Sequence, residues 1–362
     1  MAQNTKYLEL DTFLSNGALL RTPDGRLYCW QDLQFLDKGQ GFSADFSLAY
    51  QEFFASTLQP FHGLGPFTSS VGSFRAKLAS FLQQQLQPAL PLLKKQDFVA
   101  ADKGKFEKSF QEIQGKIHRG EIEKAVPVIF AQASKTVTKA DLVSMMFHAL
   151  EADDGLFVYG VWNSDFGILG ATPESLFQQK DGLIKTMALA GTCPKSEVSK
   201  RPNLLKDAKE LHEHNLVVRD IQDRLQKQGT VRTSPTKIVE FPTLLHLKTE
   251  IEVNGPQVPL DVLTKQLHPT AALGVAPRNY GIQWLAELPY QKQRGFFGAP
   301  IVFRLTATED LAVVAIRNIQ WSPQACQIGA GCGLVNSSEL DREWNELGAK
   351  VNTVFKILGL DK

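Results

Sequence analysis

Two pairs of glutamates in the sequence have the residue type and spacing needed to hold a cation. Glu210 and Glu213 lie three residues apart in one predicted helix, and Glu343 and Glu346 repeat that spacing in another. Residues at this spacing share one side of a helix, and each pair is predicted at the border of an apolar stripe. Four converging carboxylates without His or Cys favour a hard cation such as Mg²⁺. The alternative is that both pairs are solvated acids of ordinary amphipathic helices.

A second group of residues has the chemistry to bind carboxylates. Arg317 lies in an apolar predicted strand, where an unpaired guanidinium is costly, so an anionic partner is expected. The glycines of "GAGCG", which include Gly331 and Gly333, would let backbone amides approach a ligand closely. Lys350 follows Glu346 by one helical turn. A structural ion pair with an acid elsewhere in the fold is the alternative for Arg317.

His268 lies on a loop bounded by prolines, "LHPTAALGVAPR", with small residues behind it. A histidine in this setting is either part of a binding pocket or a structural residue satisfied by its neighbours. The residue types alone leave both interpretations open.

The elements that must position these residues are predicted from apolar periodicity and from turn residues. A helix is expected over residues 207–227, and a second contains Glu343 to Lys350. Successive strands are expected in "GLFVYGVWNS", "FGILGATPESLFQQ" and "LIKTMALAGT", and a hairpin in "FRLTATEDLAVVAIRNIQW". Strands that follow one another as well as alternating with helices favour a mixed α+β fold over a doubly wound parallel sheet. No linker is recognisable, so residues 1–362 are predicted to form a single domain.

The composition argues against several classes of protein. Lys and Arg number 39 against 38 Asp and Glu, so the net charge of +1 provides no overall field for nucleic acid or an anionic membrane. No apolar run approaches the length needed to span a bilayer, and "MAQNTKYLELDTF" lacks the pattern of a signal peptide. We therefore expect a cytoplasmic protein. The 4 cysteines form no CxxC pair, which indicates reduced thiols and no zinc site.

Six motifs in the second part of the chain occur together in a recognisable order. They are "GATPESLF", "MALAGT", "KELHEHNLVVRDI", "LHPTAALGVAPR", "RGFFGAPI" and "IGAGCGLVNSSELDREWNELGAK". Their order and approximate spacing resemble the chorismate-utilising enzymes over residues 105–360. That family includes isochorismate, salicylate, anthranilate and aminodeoxychorismate synthases. The resemblance implies antiparallel sheets that form a core with helices outside, and an active site in a cleft. Residues 1–104 match poorly and are expected to be the variable part.

The resemblance also implies roles for individual residues. Glu213 and Glu346 match positions that hold Mg²⁺, with Glu210 and Glu343 as direct or water-mediated companions. The positions that match substrate-binding residues are Gly191, Thr192, His268, Ala272, Leu273, Arg317, Gly331, Gly333 and Lys350. Among them, the cationic side chains would hold the carboxylates of chorismate.

The acid and the base are likewise implied by the resemblance. In isochorismate synthase, water attacks C2 of the ring while the C4 hydroxyl leaves, so one group must take a proton and another must give one. Lys124 matches the proposed general base and must be neutral to act. Glu174 matches the proposed general acid and needs a raised pKa to carry its proton. After Lys124 the chain departs from the family, because Pro127 and "VIFAQ" replace its usual residues, an arginine among them.

The segment "HPTAALGVAPR" favours one branch of the resembled family. Its apolar "AAL" is similar to that of isochorismate synthases, whereas anthranilate and aminodeoxychorismate synthases carry a threonine at or beside the position of Leu273. Ala190 stands where aminodeoxychorismate synthases have a nucleophilic lysine. The resemblance therefore implies conversion of chorismate to isochorismate. The alternatives are salicylate synthase, which goes on to eliminate pyruvate, and a catalytically silent chorismate-binding protein.

The resemblance also implies the substrate, the oligomeric state and the partner chains of the protein. The substrate is the small molecule chorismate, and a monomer is expected because monomers are common in this branch. A third alternative, the synthase subunit of a glutamine amidotransferase complex, would need a second chain to supply ammonia; no amidotransferase partner is expected. No residue separates a role in menaquinone synthesis from one in siderophore synthesis.

Overall fold

The structure is a computed structural model, and it describes residues 7–36, 46–85, 91–195, 203–241 and 244–362. The helices in these ranges are α1 (Leu10–Ser15), α2 (Val71–Gln85), α3 (Lys103–His118), α4 (Lys139–Ala149), α5 (Ala208–Leu225), α6 (Leu260–Leu267) and α7 (Leu340–Ile357). Within the described part of the chain, none of the helices combines the length and the apolarity needed to cross a membrane.

The strands alternate with these helices along the chain. They are β1 (Gly17–Arg21), β2 (Leu27–Phe35), β3 (Leu48–Tyr50), β4 (Gln59–Ser69), β5 (Lys124–Ala125), β6 (Val128–Ala133), β7 (Phe157–Trp162), β8 (Gly167–Thr172), β9 (Ser175–Lys180), β10 (Leu183–Pro194), β11 (Thr230–Thr233), β12 (Lys237–Glu240), β13 (Leu244–Asn254), β14 (Val275–Ala276), β15 (Pro300–Thr306), β16 (Glu309–Val314), β17 (Asn318–Trp321) and β18 (Cys326–Gly331).

One 16-stranded sheet holds nearly all of the described strands. Its order is β11-β13-β10-β9-β16-β15-β3-β4-β2-β1-β7-β8-β17-β18-β6, and β12 also pairs with β13. Neighbouring strands are antiparallel, for example β10 with β13 and β17 with β18. The short strands β5 and β14 form a separate pair. The predicted mixed α+β fold is confirmed.

The strands of the amino-terminal part lie inside this sheet rather than beside it. Strand β1 pairs with β7, and β3 pairs with β15. Residues 1–104, expected to be variable, therefore contribute strands to the same sheet as the segment that carries the candidate site.

Helices cover the sheet and enclose its apolar side chains. Near α5 and α6, a core cluster includes Val217, Ile221 and Ile251. Near α4 and α7, another includes Met146 and Val354. Each buried aliphatic side chain of this size contributes roughly 1.5–3 kcal/mol relative to an exposed one.

The segment "FGILGATPESLFQQ" departs from its prediction as one strand. The structure divides it into β8, which pairs with β7 and β17, and β9, which pairs with β10 and β16. Pro173 and Glu174 lie between the two strands, and proline has no amide hydrogen to continue a ladder. The backbone amide of Glu174 instead donates to the Thr172 hydroxyl at 3.2 Å. The break places Glu174 at the end of a strand.

The two helices that carry the glutamate pairs form as expected, but three of the acids are more buried than predicted. Asp207 caps α5, because its carboxylate accepts hydrogen bonds from the amides of Lys209 and Glu210. The exposed fraction is 1% for Glu210, 8% for Glu213 and 1% for Glu343. The alternative that these acids are solvated is therefore wrong for all three, because each is buried beside a lysine side chain.

Candidate active site

A cavity lies between β10, β13, β18, α5 and α7. Most of the predicted site residues line it, although they come from distant parts of the sequence. The lining residues are Pro173, Glu174, Leu189, Ala190, Thr192, Glu213, His246, Ala272, Leu273, Phe297, Ile316, Arg317, Gly329, Ala330, Gly331, Gly333 and Lys350. The cavity therefore contains acids, cations and apolar side chains together.

The predicted metal-binding carboxylates lie beside ammonium groups. Lys124 Nζ is 3.0 Å from Glu213 Oε1. Lys209 Nζ lies between the two helices, 2.7 Å from Glu343 Oε1 and 3.4 Å from Glu210 Oε1. Lys209 was not singled out from the sequence, although it directly precedes the first glutamate pair.

Two further cations from α7 complete this arrangement. Lys350 Nζ lies 2.7 Å from Glu346 Oε1 and donates to the Gly331 carbonyl at 2.8 Å. Arg342 Nη2 lies 3.2 Å from Glu210 Oε1. All four of the predicted carboxylates therefore have a cationic neighbour.

The pKa values of these acids reflect burial first and the surrounding charges second. Burial raises the pKa of Glu210 to about 7. The charge of Lys209 acts to lower this pKa, and the charges of Glu213 and Glu346 act to raise it. Burial also raises the pKa of Glu343, again with a contribution from Glu346. Burial opposes the ionisation of Glu213, but Lys124 and Lys209 outweigh it and lower its pKa. Negative charge in this cluster is therefore only partly compensated.

The donor chemistry of the cluster fits a hard divalent cation. Carboxylate oxygens are ligands that Mg²⁺ accepts, and their repulsion would fall if such an ion were bound. Among the residues described, no three His, Cys, Asp or Glu side chains are grouped closely enough to hold a metal ion. A bound Mg²⁺ would compete for the oxygens that Lys124, Lys209 and Lys350 contact here.

Glu174 lines the cavity as a buried carboxyl, with 4% of its surface exposed. Its backbone carbonyl accepts from the Val314 amide at 3.0 Å, which fixes the turn between β8 and β9. Burial raises the pKa of Glu174 to about 8, although Lys124 and Lys350 act to lower it. The side chain therefore carries a proton at neutral pH, as a general acid must.

Lys124 is fully buried on β5, directly behind the cavity wall. The pairing of β5 with β14 places Lys124 opposite Ala276. A Cβ atom on Gly333 would lie 2.5 Å from Cε of Lys124 and would overlap Oε1 of Glu213. Gly333 and Glu213 both line the cavity, so Lys124 lies against two residues of the cavity wall.

Arg317 and His246 form a buried pair at the cavity. Arg317 has a backbone φ of +55°, a conformation that costs energy for a residue with a side chain. Its Nη2 lies 3.5 Å from His246 Nε2. Burial lowers the pKa of Arg317 to about 10, while Glu346 raises it. Within the described chain no carboxylate lies within salt-bridge distance of Arg317, so its charge is available to a ligand.

Sequence reasoning missed His246. Burial, followed by the charges of Arg317 and Lys350, holds the pKa of His246 well below its usual value, so the ring is neutral. Its Nδ1 lies 3.1 Å from the Thr192 hydroxyl. Buried and partly exposed residues alternate along most of β13. A histidine at one of its buried positions was the signal that could have identified His246.

Gly191 places Thr192 at the cavity. The pairing of β10 with β13 shifts register between Ala190 and Thr192, and Gly191 there has a φ of +78°. A side chain at Gly191 would approach the Glu210 carbonyl oxygen at 2.9 Å. The Thr192 amide donates to Glu210 Oε2 at 2.8 Å. Gly191 itself does not line the cavity; it supports the residue that does.

The loop residues Ala272 and Leu273 line the cavity, but His268 does not. His268 Nε2 lies 3.0 Å from the Phe53 carbonyl oxygen. Burial lowers the pKa of His268 to about 3, although the hydrogen bond to the Phe53 carbonyl acts to raise it. The side chain of His268 is thus hydrogen-bonded to a backbone carbonyl and lies outside the cavity lining, and its contact with a substrate stays a prediction. His246 is the histidine at the cavity.

An antiparallel sheet with helices outside, and a cavity that holds a buried acid beside Arg317 and Lys350, fit the class of proteins that bind a small anionic ligand. The family comparison identifies the class of protein. The chain belongs to the family described as chorismate binding enzyme, whose model matches residues 67–359. This match begins earlier than the resemblance recognised from residue 105.

Curated relatives with several activities are similar to this chain. The vibriobactin-specific isochorismate synthase of Vibrio cholerae is 30% identical over 203 residues, which are 54% of this chain and 51% of that protein. The isochorismate synthase EntC of Escherichia coli is 31% identical over 229 residues, 60% of this chain and 55% of that protein. The anthranilate synthase component 1 of Aeropyrum pernix is 26% identical over 266 residues, 71% of this chain and 60% of that protein. The chain thus spans just over half the length of these relatives.

Solved structures share the fold. The menaquinone-specific isochorismate synthase MenF of Escherichia coli aligns with a TM-score of 0.74 at 19% identity, over 99% of this chain and 93% of that chain. A putative 2,3-dihydroxybenzoate-specific isochorismate synthase, DhbC, from Bacillus anthracis aligns with a TM-score of 0.73 at 19% identity, over 99% of each chain.

Proposed function

We propose that this protein is an isochorismate synthase, which converts chorismate to isochorismate reversibly. The observation that carries the proposal is a buried carboxyl, Glu174, in a cavity that also presents the cationic groups of Arg317 and Lys350, and burial raises the pKa of this carboxyl to about 8. Relatives named as isochorismate synthases in Vibrio cholerae and Escherichia coli support the same activity.

The cationic groups would bind and orient the substrate. Arg317 offers a planar set of donors that suits a carboxylate in two-point contact. Lys350 is held at the cavity wall by the Gly331 carbonyl and by Glu346. Thr192, fixed by the turn at Gly191, adds a hydroxyl beside them. Chorismate carries two carboxylates, so two separate cationic groups fit its charge.

The proton transfers are assigned to Lys124 and Glu174. Lys124, in its neutral amine form, takes a proton from the water whose oxygen forms the new bond at C2, and Glu174 gives its proton to the C4 oxygen as the bond from that oxygen to carbon breaks. A cation held by Glu213 would offset the negative charge that favours the ammonium form of Lys124, and so would favour the neutral amine. The substrate thus gains one hydroxyl and loses one, which makes the reaction an isomerisation. The two side chains regain their starting protonation states by exchange with solvent.

Mg²⁺ is proposed as the cofactor. Glu213 and Glu346 would hold it, with Glu210 and Glu343 as direct or water-mediated companions. When bound, the ion would neutralise the acids of the cluster and a carboxylate of the substrate. The pKa of Glu210, raised by burial and by two neighbouring acids, supports a site that gains from added positive charge.

The apolar wall supports water as the nucleophile over an amine. Ala190 lines the cavity and provides no amine for a covalent intermediate. Ala272 and Leu273 present only aliphatic carbon from the loop where amine-forming relatives carry a threonine. Salicylate synthase uses the same acid, base and metal, so the product must separate these two activities.

The test is to incubate the purified chain with chorismate and MgCl₂ and to separate the products by liquid chromatography. We expect isochorismate to accumulate to an equilibrium that is also reached from isochorismate, with no turnover in excess EDTA. Added ammonium salts should give no anthranilate. Pyruvate released in step with the loss of chorismate would instead identify a salicylate synthase. Unchanged chorismate despite measurable binding would identify a silent binding protein.

A further inference from the structure

Arg294 is a fully buried arginine whose hydrogen bonds go to uncharged oxygens. Its Nη2 donates to the Leu273 carbonyl at 2.8 Å and its Nε donates to the Phe297 carbonyl at 3.1 Å. Its Nη1 donates to the Val126 carbonyl at 3.3 Å and to Gln291 Oε1 at 3.4 Å. In the part of the chain that the structure describes, no carboxylate lies within salt-bridge distance of this guanidinium.

The three carbonyls belong to segments that build the candidate active site. Leu273 and Phe297 line the cavity from two different loops. Val126 follows Lys124 by two residues and lies directly after β5, the strand that carries the proposed base. One guanidinium therefore contacts the segment after β5 and both apolar loops. The β5–β14 pair and the Val126–Gly274 hydrogen bond already connect that segment to the loop of Leu273, and Arg294 adds the loop of Phe297.

The cost of this arrangement indicates that it does more than fill space. A guanidinium without a carboxylate partner is costly to bury, and burial holds the pKa of Arg294 well below its usual value. The ring of Phe53 covers the guanidinium at 3.4 Å. Phe53 also accepts the hydrogen bond of His268, so the base of the substrate loop rests on the same aromatic residue.

We propose that Arg294 is a positioning residue, which fixes the cavity wall at Leu273 and Phe297 relative to the strand of Lys124. The inference rests on the proposed function and deepens it. For water to attack C2, the substrate held against the wall must lie at a fixed distance from the base, Lys124. Displacements near 1 Å can reduce turnover by about a hundredfold.

The chain provides a matched control in Arg21. This arginine is also buried, with 4% of its surface exposed. Its guanidinium donates to the carbonyls of Ala152, Asp153 and Leu156 at 2.9 Å, 2.9 Å and 3.1 Å. None of these residues lines the cavity. Replacing either arginine removes the same kind of backbone contact, but only Arg294 is connected to the site.

The experiment compares Arg294→Lys with Arg21→Lys in the full chain. Lysine retains the charge but cannot reach three carbonyls at once. We expect Arg294→Lys to lower kcat by at least about tenfold with a smaller change in KM, because the cationic side chains proposed to bind the substrate are unchanged. Arg21→Lys should leave kcat within about twofold of the wild-type value, since the two sites are not in contact.

Amide hydrogen exchange provides a readout that does not depend on activity. Val126 and Gly274 share a backbone hydrogen bond at 3.1 Å, which Arg294 supports from both sides. Peptides that cover residues 122–130 and 268–276 should exchange faster in Arg294→Lys and at the wild-type rate in Arg21→Lys. Thermal unfolding of both variants shows whether each is folded under assay conditions.

Equal kcat in both variants, with unchanged exchange in the two peptides, would overturn the positioning role. If the wild-type chain leaves chorismate unchanged, the proposed function fails, yet the exchange comparison still decides whether Arg294 fixes the two segments. Faster exchange in Arg294→Lys with no change in kcat would also count against the inference, because the movement would then have no effect on catalysis.

Discussion

Glu174 combines a position at the cavity with a proton that it keeps at neutral pH. Its pKa of about 8 results mainly from burial, which disfavours the carboxylate, and Lys124 and Lys350 limit the rise. An acid with a raised pKa is active below that value and loses its proton as the pH rises through it.

The pH dependence of turnover follows from this carboxyl. We expect kcat to fall as pH rises above about 8, measured at saturating chorismate, because Glu174 is then ionised. Glu174→Gln should reduce kcat by at least about a hundredfold while chorismate binding stays measurable by calorimetry. A kcat that increases between pH 8 and pH 9 would assign the acid to another group.

Residue types drew attention to the glutamate pairs, to Arg317 and to Lys350, but not to His246. Four glutamates, Arg317 and Lys350 are unusual where they occur, so their spacing and apolar context drew attention to them. His246 occupies a buried position of a strand, which in sequence resembles a structural residue. His268 occupies a loop among prolines, which resembles a functional one. Only the packing of β13 and Phe53 distinguishes the two.

At the scale of elements, strand β5 and helix α5 both pack against one glycine, Gly333. Gly333 follows β18 and lies against Glu213 of α5 and Lys124 of β5, where a Cβ atom does not fit. The sequence predicted that glycines here leave room for a ligand. The structure adds that Gly333 leaves room for the acid and the base themselves, while Gly329 accommodates the rings of Phe130 and Phe297.

Gly333→Ala is therefore expected to separate Glu213 from Lys124. We expect weaker Mg²⁺ binding in calorimetry and kcat reduced by about tenfold or more, because the displaced groups act in both binding and proton transfer. Gly348→Ala is the control, since a Cβ atom there meets nothing within 4 Å on helix α7. Alanine at this helical position should stabilise the fold by about 0.5–1 kcal/mol and leave kcat unchanged. Equal activity in both variants would contradict the assigned contacts.

The sequence predicted which segments form helices and strands better than it predicted which strands pair. The hairpin of β15 and β16 and the helix α5 follow the turn and apolar patterns of their sequences. The division of β8 from β9 does not, because it depends on which neighbours each strand pairs with. Long-range pairing of this kind leaves little trace in the local sequence.

At the scale of the whole molecule, the amino-terminal strands are structural members of the catalytic sheet. Strands β1 to β4 lie between β15 and β7 in the strand order. A chain that begins at residue 67, where the family match begins, would leave β15 and β7 with unpaired edges.

We expect the fragment of residues 67–362 to be insoluble or to lack a cooperative thermal transition. The measurements are gel filtration and circular dichroism, with the full chain as the reference. A soluble fragment that unfolds cooperatively and consumes chorismate would show that the early strands are dispensable.

The strand order also determines when the sheet can be completed during protein synthesis. Before residue 300 leaves the ribosome, the strands can form only separate sections: β11-β13-β10-β9, β3-β4-β2-β1-β7-β8, and β6. The hairpin of β15 and β16 then joins the first section to the second, and the hairpin of β17 and β18 joins the second to β6. Until those two hairpins emerge, the nascent chain exposes strand edges that favour aggregation. Chaperone binding to the nascent chain is therefore expected to persist until residues 300–331 have emerged.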